Sequence, residues 1–184
     1  NEQPDAVILD LGLPDIDGLE VIQQVRMFSA VPIIVLSVRQ DEQDISRALS
    51  LGADDYVTKP FKVRELIARL NVQLRGRTRS GDEGPIVYGP LRLDPSNFEL
   101  KYGGRDIGLT VVEGNIMKQL MISAGHVVPH DRLAEAVWGE ECPGAIAGLR
   151  TYIRHLRRKL EEDPRNPRLL LTKVGVGYSL AKPM

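Results

Sequence analysis

The segment AVILDLGLPDIDG, residues 6–18, places a carboxylate directly after a short apolar run and follows it with a turn rich in Pro, Asp and Gly. The apolar run, residues 6–9, is typical of a buried strand. Asp10 therefore stands at the C-terminal end of that strand, on the edge of an open α/β sheet where ligands and reacting groups gather. The segment predicts an α/β fold with functional chemistry at this edge.

Two further strand-like runs also end on polar side chains. Residues 32–36 are followed by Ser37, and residues 55–58 are followed by Lys59. Because the carboxyl ends of parallel strands meet at one edge, we expect Asp10, Ser37 and Lys59 to converge on a phosphoryl group. In such a site the carboxylate attacks phosphorus, a divalent ion takes charge off the oxygens, and the amine and hydroxyl hold the acyl phosphate.

These stretches resemble the receiver domain of two-component response regulators, through DLGLPDIDG at residues 10–18, Ser37, and GADDYVTKPF at residues 52–61. The resemblance implies a flavodoxin-like parallel sheet, Asp10 as the phosphoacceptor and a cis peptide bond between Lys59 and Pro60. It also implies that Tyr56 is a switch residue that turns inward when Ser37 moves toward the phosphoryl group.

In OmpR/PhoB-type members of this family, charged residues on one face form the salt bridges of an activated two-fold dimer. The resemblance implies that Arg47 pairs with Glu65, and Asp55 with Arg69, across that interface, with Asp54 at the same surface.

A receiver also needs Mg²⁺ beside its phosphoacceptor, and the resemblance assigns that ion to Asp10 and the backbone carbonyl of Gly12. A pair of acidic residues on an earlier β-α-β-α stretch normally completes the site. Residue 1 corresponds to the entry into the third receiver strand, so we expect this sequence to be a fragment of a longer regulator with an incomplete metal site.

Composition excludes several classes of protein. The chain has 184 residues, 42% of them hydrophobic and 27% charged, which is ordinary for globular domains. No apolar run approaches the ~20 residues of a membrane span, and no segment has the pattern of a signal peptide. Cys142 is the single cysteine, which favours a reducing cytoplasm over a disulfide scaffold. The three histidines lack metal-ligand spacing, so no zinc site is expected.

The charge is divided unevenly along the chain. Residues 1–75 carry 8 Lys/Arg against 12 Asp/Glu, and residues 85–184 carry 14 against 11. A basic half suggests a module that meets a polyanion. Residues 76–84 lack apolar periodicity and are rich in Gly and charge, as in a flexible linker. We therefore predict a receiver domain at 1–75, a linker at 76–84 and a DNA-binding domain at 85–184.

The second domain begins with short β-like runs and turns over residues 86–108. Thr110 to Glu113 reads as a capping box for a helix that runs to Gly125. A second helix is predicted over residues 131–138, and a third shows apolar residues at helical spacing: Leu149, Ile153, Leu156 and Leu160.

That third helix is basic around its apolar stripe, which suits the DNA major groove. A Gly-rich hairpin over residues 169–180 would act as a wing beside it. Together these features resemble the winged helix-turn-helix domain of OmpR/PhoB-type regulators. We expect base contacts from Thr151, Arg154, His155 and Arg158, and phosphate contacts from His130, Arg150, Arg157 and Lys173.

Two departures bear on the branch of the family. Residues 147–150 read Ala-Gly-Leu-Arg where many members have Arg-Thr-Val-Asp, and Val174 stands where many have Arg. The pattern over residues 149–157, and Ser37 in place of threonine, are similar to the Kdp-type branch that controls potassium uptake.

The leading hypothesis is therefore a non-enzymatic cytoplasmic response regulator. A sensor histidine kinase would phosphorylate Asp10, and the homodimer would bind tandem half-sites on double-stranded DNA, with RNA polymerase as a further candidate partner. One alternative is a haloacid-dehalogenase-type phosphatase, although that fold wants a second Asp where Gly12 stands. The other is a regulator that dimerises and binds DNA without phosphorylation.

Overall fold

The N-terminal half alternates strands with helices around a parallel sheet. The computed structural model describes residues 4–78, 84–139 and 145–182. The elements of the first stretch are β1 (Val7–Asp10), α1 (Gly18–Arg26), β2 (Ile33–Ser37), α2 (Glu42–Ser50), β3 (Asp55–Thr58) and α3 (Val63–Thr78). The three strands lie in the order β1-β2-β3, and both pairs are parallel. Their carboxyl ends therefore share one edge, as predicted.

Local sequence signals explain where the first two helices begin. The Asp17 carboxylate accepts a bond from the Leu19 N–H at 3.1 Å, and Asp41 accepts one from the Gln43 N–H at 2.8 Å. Both are N-caps that satisfy otherwise unpaired amide groups. Gly18 is required by close approach, because a Cβ there would lie 2.7 Å from the Leu11 Cα. The turn after Asp10 is thus pressed against the start of α1.

Helix α3 extends beyond the predicted end of the receiver domain. It runs from Val63 to Thr78, which takes it three residues into the predicted linker at 76–84. The rest of that linker includes residues 79–83, which lie outside the described residues.

The C-terminal half combines a four-stranded antiparallel sheet, three helices and a small three-stranded sheet. Its elements are β4 (Ile86–Tyr88), β5 (Leu91–Asp94), β6 (Glu99–Tyr102), β7 (Arg105–Gly108), α4 (Val111–Ile122), β8 (Val128–Pro129), α5 (His130–Trp138), α6 (Ala145–Leu160), β9 (Leu170–Lys173) and β10 (Gly177–Leu180). The sheet orders are β4-β5-β6-β7 and β8-β10-β9. Strand β7 was not separately predicted, because it is an edge strand with one apolar residue, Ile107.

The three helices predicted for this half are present, although α4 ends at Ile122, three residues before the predicted end at Gly125. Thr110 and Glu113 form a reciprocal capping box, with the Glu113 carboxylate 2.9 Å from the Thr110 N–H. The apolar stripe of α6 is buried, with its four members between 0% and 2% exposed. Burying a Leu or Ile side chain contributes about 1.5–3 kcal/mol, so this stripe anchors α6 to the core. The hairpin β9–β10 projects the exposed turn of residues 174–176.

The two halves contact each other. Helix α2 lies against α6, while α3 lies against α4 and α5. None of the helices in the described parts of the chain is long and apolar enough to cross a membrane.

Candidate functional site

Asp10 and Lys59 meet at the carboxyl edge of the parallel sheet. The Lys59 ammonium donates to the Asp10 Oδ2, and the Gly12 N–H donates to Oδ1 at 2.9 Å. The Lys59 hydrogen bond, followed by the Gly12 N–H, lowers the pKa of Asp10 below its usual value. The carboxylate is 43% exposed. It is therefore an accessible anion with an ammonium beside it, the arrangement that an incoming phosphoryl group requires.

Ser37 is the last residue of β2, Tyr56 lies within the neighbouring strand β3, and both are buried, at 2% and 7% exposure. The Ser37 Oγ accepts a bond from the Arg39 N–H at 3.1 Å, and the Tyr56 hydroxyl donates to the Arg39 carbonyl at 2.9 Å. Burial raises the pKa of Tyr56, and a hydrogen bond with Ser37 opposes that rise. Arg39, in the loop after β2, is thus bonded through its backbone to both the Ser37 and the Tyr56 side chains. The Tyr56 side chain lies inward.

The Lys59–Pro60 peptide bond is cis, as the resemblance implied. Ser37 pairs with Thr58 across β2 and β3, so it lies one residue from Lys59 in register. The backbone therefore brings all three predicted phosphoryl-binding residues to one edge, and contact is direct between Asp10 and Lys59.

The metal donors at this edge are few. Asp10 supplies a carboxylate, and Gly12 is held beside it by its own N–H. Among the described residues, no group of three or more His, Cys, Asp or Glu side chains could hold a metal ion. Magnesium prefers six oxygen ligands. The described side chains therefore do not form a magnesium site by themselves.

Three of the residues predicted at a dimer interface contact one another within the chain. The Arg69 guanidinium contacts Asp55 at 2.9 Å and Glu65 at 3.2 Å, and Arg69 and Asp55 are almost fully buried. Arg47 is exposed. Intermolecular pairing of Asp55 with Arg69 would therefore require that these internal bonds break.

The structure places Asp54 in a hydrogen-bonded cluster within the receiver that the sequence did not suggest. Its carboxylate accepts from the Arg26 guanidinium at 2.6 Å and from the Ile33 N–H at 2.8 Å. Burial raises the pKa of Asp54 to about 6, against the opposing effects of that N–H and of Arg26. A contact between Asp54 and a second copy would require this cluster to rearrange.

Sequence reasoning missed Arg26 altogether. Its guanidinium also donates to the carbonyls of Gly52 at 2.8 Å and Val31 at 2.7 Å, which joins α1 to the loops before β2 and β3. An arginine in the last turn of an amphipathic helix is typical of a solvated surface, so the sequence carries no signal for this role.

The predicted DNA-contacting residues fall into three groups. Arg150, Arg158 and Lys173 are exposed, and His130, Arg154 and Arg157 are partly buried. Thr151 and His155 are only 6% and 5% exposed. The structure thus brings all of these residues to α6, its wing and the start of α5, with two of the four predicted base-reading side chains covered.

Arg157 has a role within the fold. Its guanidinium donates to the Leu170 carbonyl at 2.8 and 3.0 Å and to the Thr172 hydroxyl at 2.7 Å, which ties α6 to β9. His130 packs edge-on against Tyr178, with ring centroids 5.1 Å apart. These contacts fix the wing relative to the helix.

Comparison with known proteins finds a matching family for each half of the chain. A family model described as "Response regulator receiver domain" matches residues 1–71, and one described as "Transcriptional regulatory protein, C terminal" matches residues 104–180. The chain is 43% identical to the KDP operon transcriptional regulatory protein KdpE of Escherichia coli (strain K12) over 177 residues, 96% of this chain and 79% of that protein. The chain belongs to the OmpR/PhoB-type response regulators. It is a DNA-binding regulator of a two-component system, with a receiver in its N-terminal half and an effector in its C-terminal half.

Other relatives of this response regulator carry different names. It is 40% identical to the sensory transduction protein RegX3 of Mycolicibacterium smegmatis over 180 residues, 96% of this chain and 79% of that protein. A solved structure of a RitR mutant matches with a TM-score of 0.67 and 26% identity, over 98% of this chain and 81% of that one. KdpE and RegX3 lie at similar identity, so the Kdp-type branch stays a prediction. Family membership favours the receiver interpretation of Asp10 over a haloacid-dehalogenase-type phosphatase.

Proposed function

We propose that phosphorylation of Asp10 by a sensor histidine kinase controls dimerisation and DNA binding by this response regulator. The observation that carries the proposal is the contact between the Lys59 ammonium and the Asp10 carboxylate at the sheet edge, with the Gly12 N–H on the other oxygen. The carboxylate is anionic, exposed and held in place, which are the properties of a nucleophile for phosphoryl transfer.

In the transfer step, an Asp10 oxygen attacks the phosphorus of the kinase's phosphohistidine. The new O–P bond forms as the N–P bond breaks, and the departing imidazole takes up a proton. Lys59 then pairs with the phosphoryl oxygens, which carry more negative charge than the carboxylate did. Ser37 would add a hydroxyl donor from the neighbouring strand, since a hydroxyl that accepts from the Arg39 N–H still has its own proton to donate.

Magnesium is the ion that receivers of this family typically bind at the phosphorylation site. In this chain Asp10 and the Gly12 carbonyl would contribute ligands to it, where it would reduce the charge on the phosphoryl oxygens. The described residues supply only these two ligands of its coordination shell.

On the output side, α6 would enter the major groove of double-stranded DNA and the β9–β10 wing would lie along the backbone. Base edges would be read by Thr151, Arg154, His155 and Arg158, and phosphates bound by Arg150 and by the other predicted phosphate contacts: His130, Arg157 and Lys173. A homodimer joined through the faces that carry Arg47, Asp54, Asp55, Glu65 and Arg69 would place two effectors on tandem half-sites. A cytosolic location fits this partner set, and RNA polymerase is a candidate for a further contact.

The test compares the chain with its Asp10→Asn variant, with and without acetyl phosphate and Mg²⁺. An operator duplex is first enriched from a random-sequence pool by the phosphodonor-treated chain. We expect the phosphodonor to shift the chain from monomer to dimer in analytical ultracentrifugation and to tighten binding of that duplex, in the wild type alone. Identical dimerisation and binding by both proteins in every condition would establish the alternative, a regulator that acts without phosphorylation.

A further inference from the structure

The face of α6 that should meet DNA is covered by the receiver. Residues 151, 155 and 158 follow i, i+4, i+7 spacing, on the side of the helix opposite the buried stripe of Leu149, Ile153, Leu156 and Leu160. A side opposite the core is normally solvated. Thr151 and His155 are nonetheless 6% and 5% exposed. The covering element is α2, since the Ser46 hydroxyl contacts the His155 Nε2 at 3.3 Å and accepts from the Arg158 guanidinium at 2.9 Å.

A second contact lies one turn earlier on α6. The Tyr152 hydroxyl donates to the Asp55 Oδ1 at 2.7 Å, and it lies 3.2 Å from the Asp54 carbonyl. Burial, together with the negative charge of Asp55, raises the pKa of Tyr152 well above its usual value, so the phenol keeps its proton and acts as a donor. Both partners are buried, at 3% and 0% exposure. We call Ser46, Asp55, Tyr152, His155 and Arg158 the interdomain latch.

We propose that the interdomain latch holds this regulator in a closed state, in which the receiver withholds the recognition helix α6 from DNA until the latch opens. The proposal rests on the proposed function of α6 as the DNA reader. A side chain that reads base edges must reach the floor of the major groove, and His155 cannot do so while α2 lies against it, nor can Thr151 while it stays buried.

The latch also engages the residues that we assign to the dimer. Asp55 Oδ1 accepts bonds from the Tyr56 N–H, the Arg69 guanidinium and the Tyr152 hydroxyl. The Arg69 guanidinium in addition stacks 5.4 Å from the centre of the Trp138 ring in the effector. Pairing of Asp55 and Arg69 with a second receiver would displace these contacts. Closure and dimerisation are therefore competing uses of one surface.

Near the interdomain latch, two buried receiver side chains of the described residues carry polar atoms without hydrogen-bond partners. Within the described residues, the buried Asp55 Oδ2 has no hydrogen-bond partner. Gln73 lies one turn beyond Arg69 on the same side of α3, is fully buried, and has neither its amide oxygen nor its nitrogen paired in that same part of the chain. Each such group regains hydrogen bonds when it meets water. If separation of the halves exposes these groups to water, they oppose closure.

The test uses single substitutions that break the latch without touching Asp10. Ser46→Ala removes the contacts to His155 and Arg158 from the receiver side, and Tyr152→Phe removes one hydroxyl from the effector side. Ser50→Ala, on the exposed side of the same helix α2, and Tyr102→Phe, on β6, are the matched controls. All proteins are the full chain without phosphodonor, and thermal melts confirm that each is folded.

Two readouts are measured on the same samples. The chain has one tryptophan, Trp138, which is 3% exposed, contacts Arg69 of the receiver and packs against Tyr152 of its own half. Its emission should shift to longer wavelength when the halves separate. Affinity for the enriched operator duplex, and for a random-sequence duplex of equal length, is measured by fluorescence anisotropy.

We expect both variants to shift Trp138 emission to the red. Tyr152→Phe should tighten DNA binding about 3- to 10-fold, the range for loss of a single hydrogen bond, and Ser46→Ala, which removes two contacts, at least as much. The controls should match the wild type. A red shift without tighter binding would overturn the inhibitory role, and no change in either readout would overturn the latch itself. If no protein binds either duplex, the proposed function fails, while Trp138 emission still decides whether the latch forms.

Discussion

Arg157 is predicted to bind a DNA phosphate, and the structure gives it a second role that can be separated experimentally. Its guanidinium makes two bonds to the Leu170 carbonyl, at 2.8 and 3.0 Å, and one to the Thr172 hydroxyl at 2.7 Å. Leu170 is fully buried at the start of β9. Substitution by alanine would leave its carbonyl without these donors.

The size of the effect follows from those bonds. A hydrogen bond that involves a charged group contributes about 1.5–3 kcal/mol, and the bond to Thr172 adds little because Thr172 is exposed. We therefore expect Arg157→Ala to lower the free energy of unfolding of the effector by about 2 kcal/mol. For a chain of this size that corresponds to a fall in Tm of about 4–8 °C.

The assay is thermal unfolding followed by circular dichroism, with Arg150→Ala as the matched control. Arg150 lies on α6 and is exposed, so its loss should change the free energy of unfolding by less than about 0.5 kcal/mol. Both variants should bind DNA more weakly, and each should reduce the slope of log affinity against log salt concentration by about 1. Equal melting of Arg157→Ala and the wild type would refute the bracing role. A large fall in Tm with an unchanged salt slope would refute the phosphate contact.

Three further predictions concern stability and pH. Thr110→Ala removes the side chain that caps α4 and should cost about 1 kcal/mol in urea unfolding, whereas an unchanged midpoint would mean that Glu113 alone holds this end. Gly177→Ala should cost about 2–3 kcal/mol by the same measurement, because the new Cβ would lie 1.9 Å from a carbonyl oxygen of β8; a cost below 1 kcal/mol would show that the wing yields easily. Burial, then the charges of neighbouring cations, lowers the pKa of His155 to about 4 in the closed state. The groups around it are the Ser46 hydroxyl on α2 and the cations of its own helix, Arg154, Arg158 and Lys159. An open state would expose the ring to a pKa near 6.5, so closure is fully favoured above that pH and weakens as pH falls toward 4. Trp138 emission should accordingly shift to the red between pH 7 and 5 in the wild type, and a His155→Gln variant that shifts equally would contradict this origin.

The shared edge of the three strand ends and the positions of the effector helices could be predicted because they depend on local patterns. Apolar runs that end on Asp10, Ser37 and Lys59 placed three strand ends on one edge, and the four-residue stripe of α6 predicted which side of that helix is buried. The capping box at Thr110 predicted the start of α4 within one residue. Such signals reside in neighbouring residues, so tertiary contacts are not needed to read them.

What could not be predicted depends on pairs distant in sequence. Arg26 and Asp54 are 28 residues apart, and Tyr152 and Asp55 are 97 apart. Each of these side chains has an ordinary interpretation taken alone, as a surface charge or a core aromatic. The pairing of Arg26 with Asp54 becomes visible only in the folded receiver, and that of Tyr152 with Asp55 only when receiver and effector are packed together. That packing also covers His155, which the sequence presents as free to read DNA.

The shared use of Asp55 connects these observations to the logic of the regulator. One carboxylate oxygen accepts from both the receiver's Arg69 and the effector's Tyr152, so its bonds cannot be optimal in the closed monomer and in a dimer together. Shifting a two-state equilibrium from 1:99 to 99:1 requires about 5.5 kcal/mol of preference. The few hydrogen bonds of the interdomain latch do not reach this free-energy difference by themselves, and neither does a similar number formed between two receivers. The two sets reach it only in combination. Release of α6 and formation of the dimer should therefore occur together, and a variant that opens the latch should also lower the concentration at which the chain dimerises.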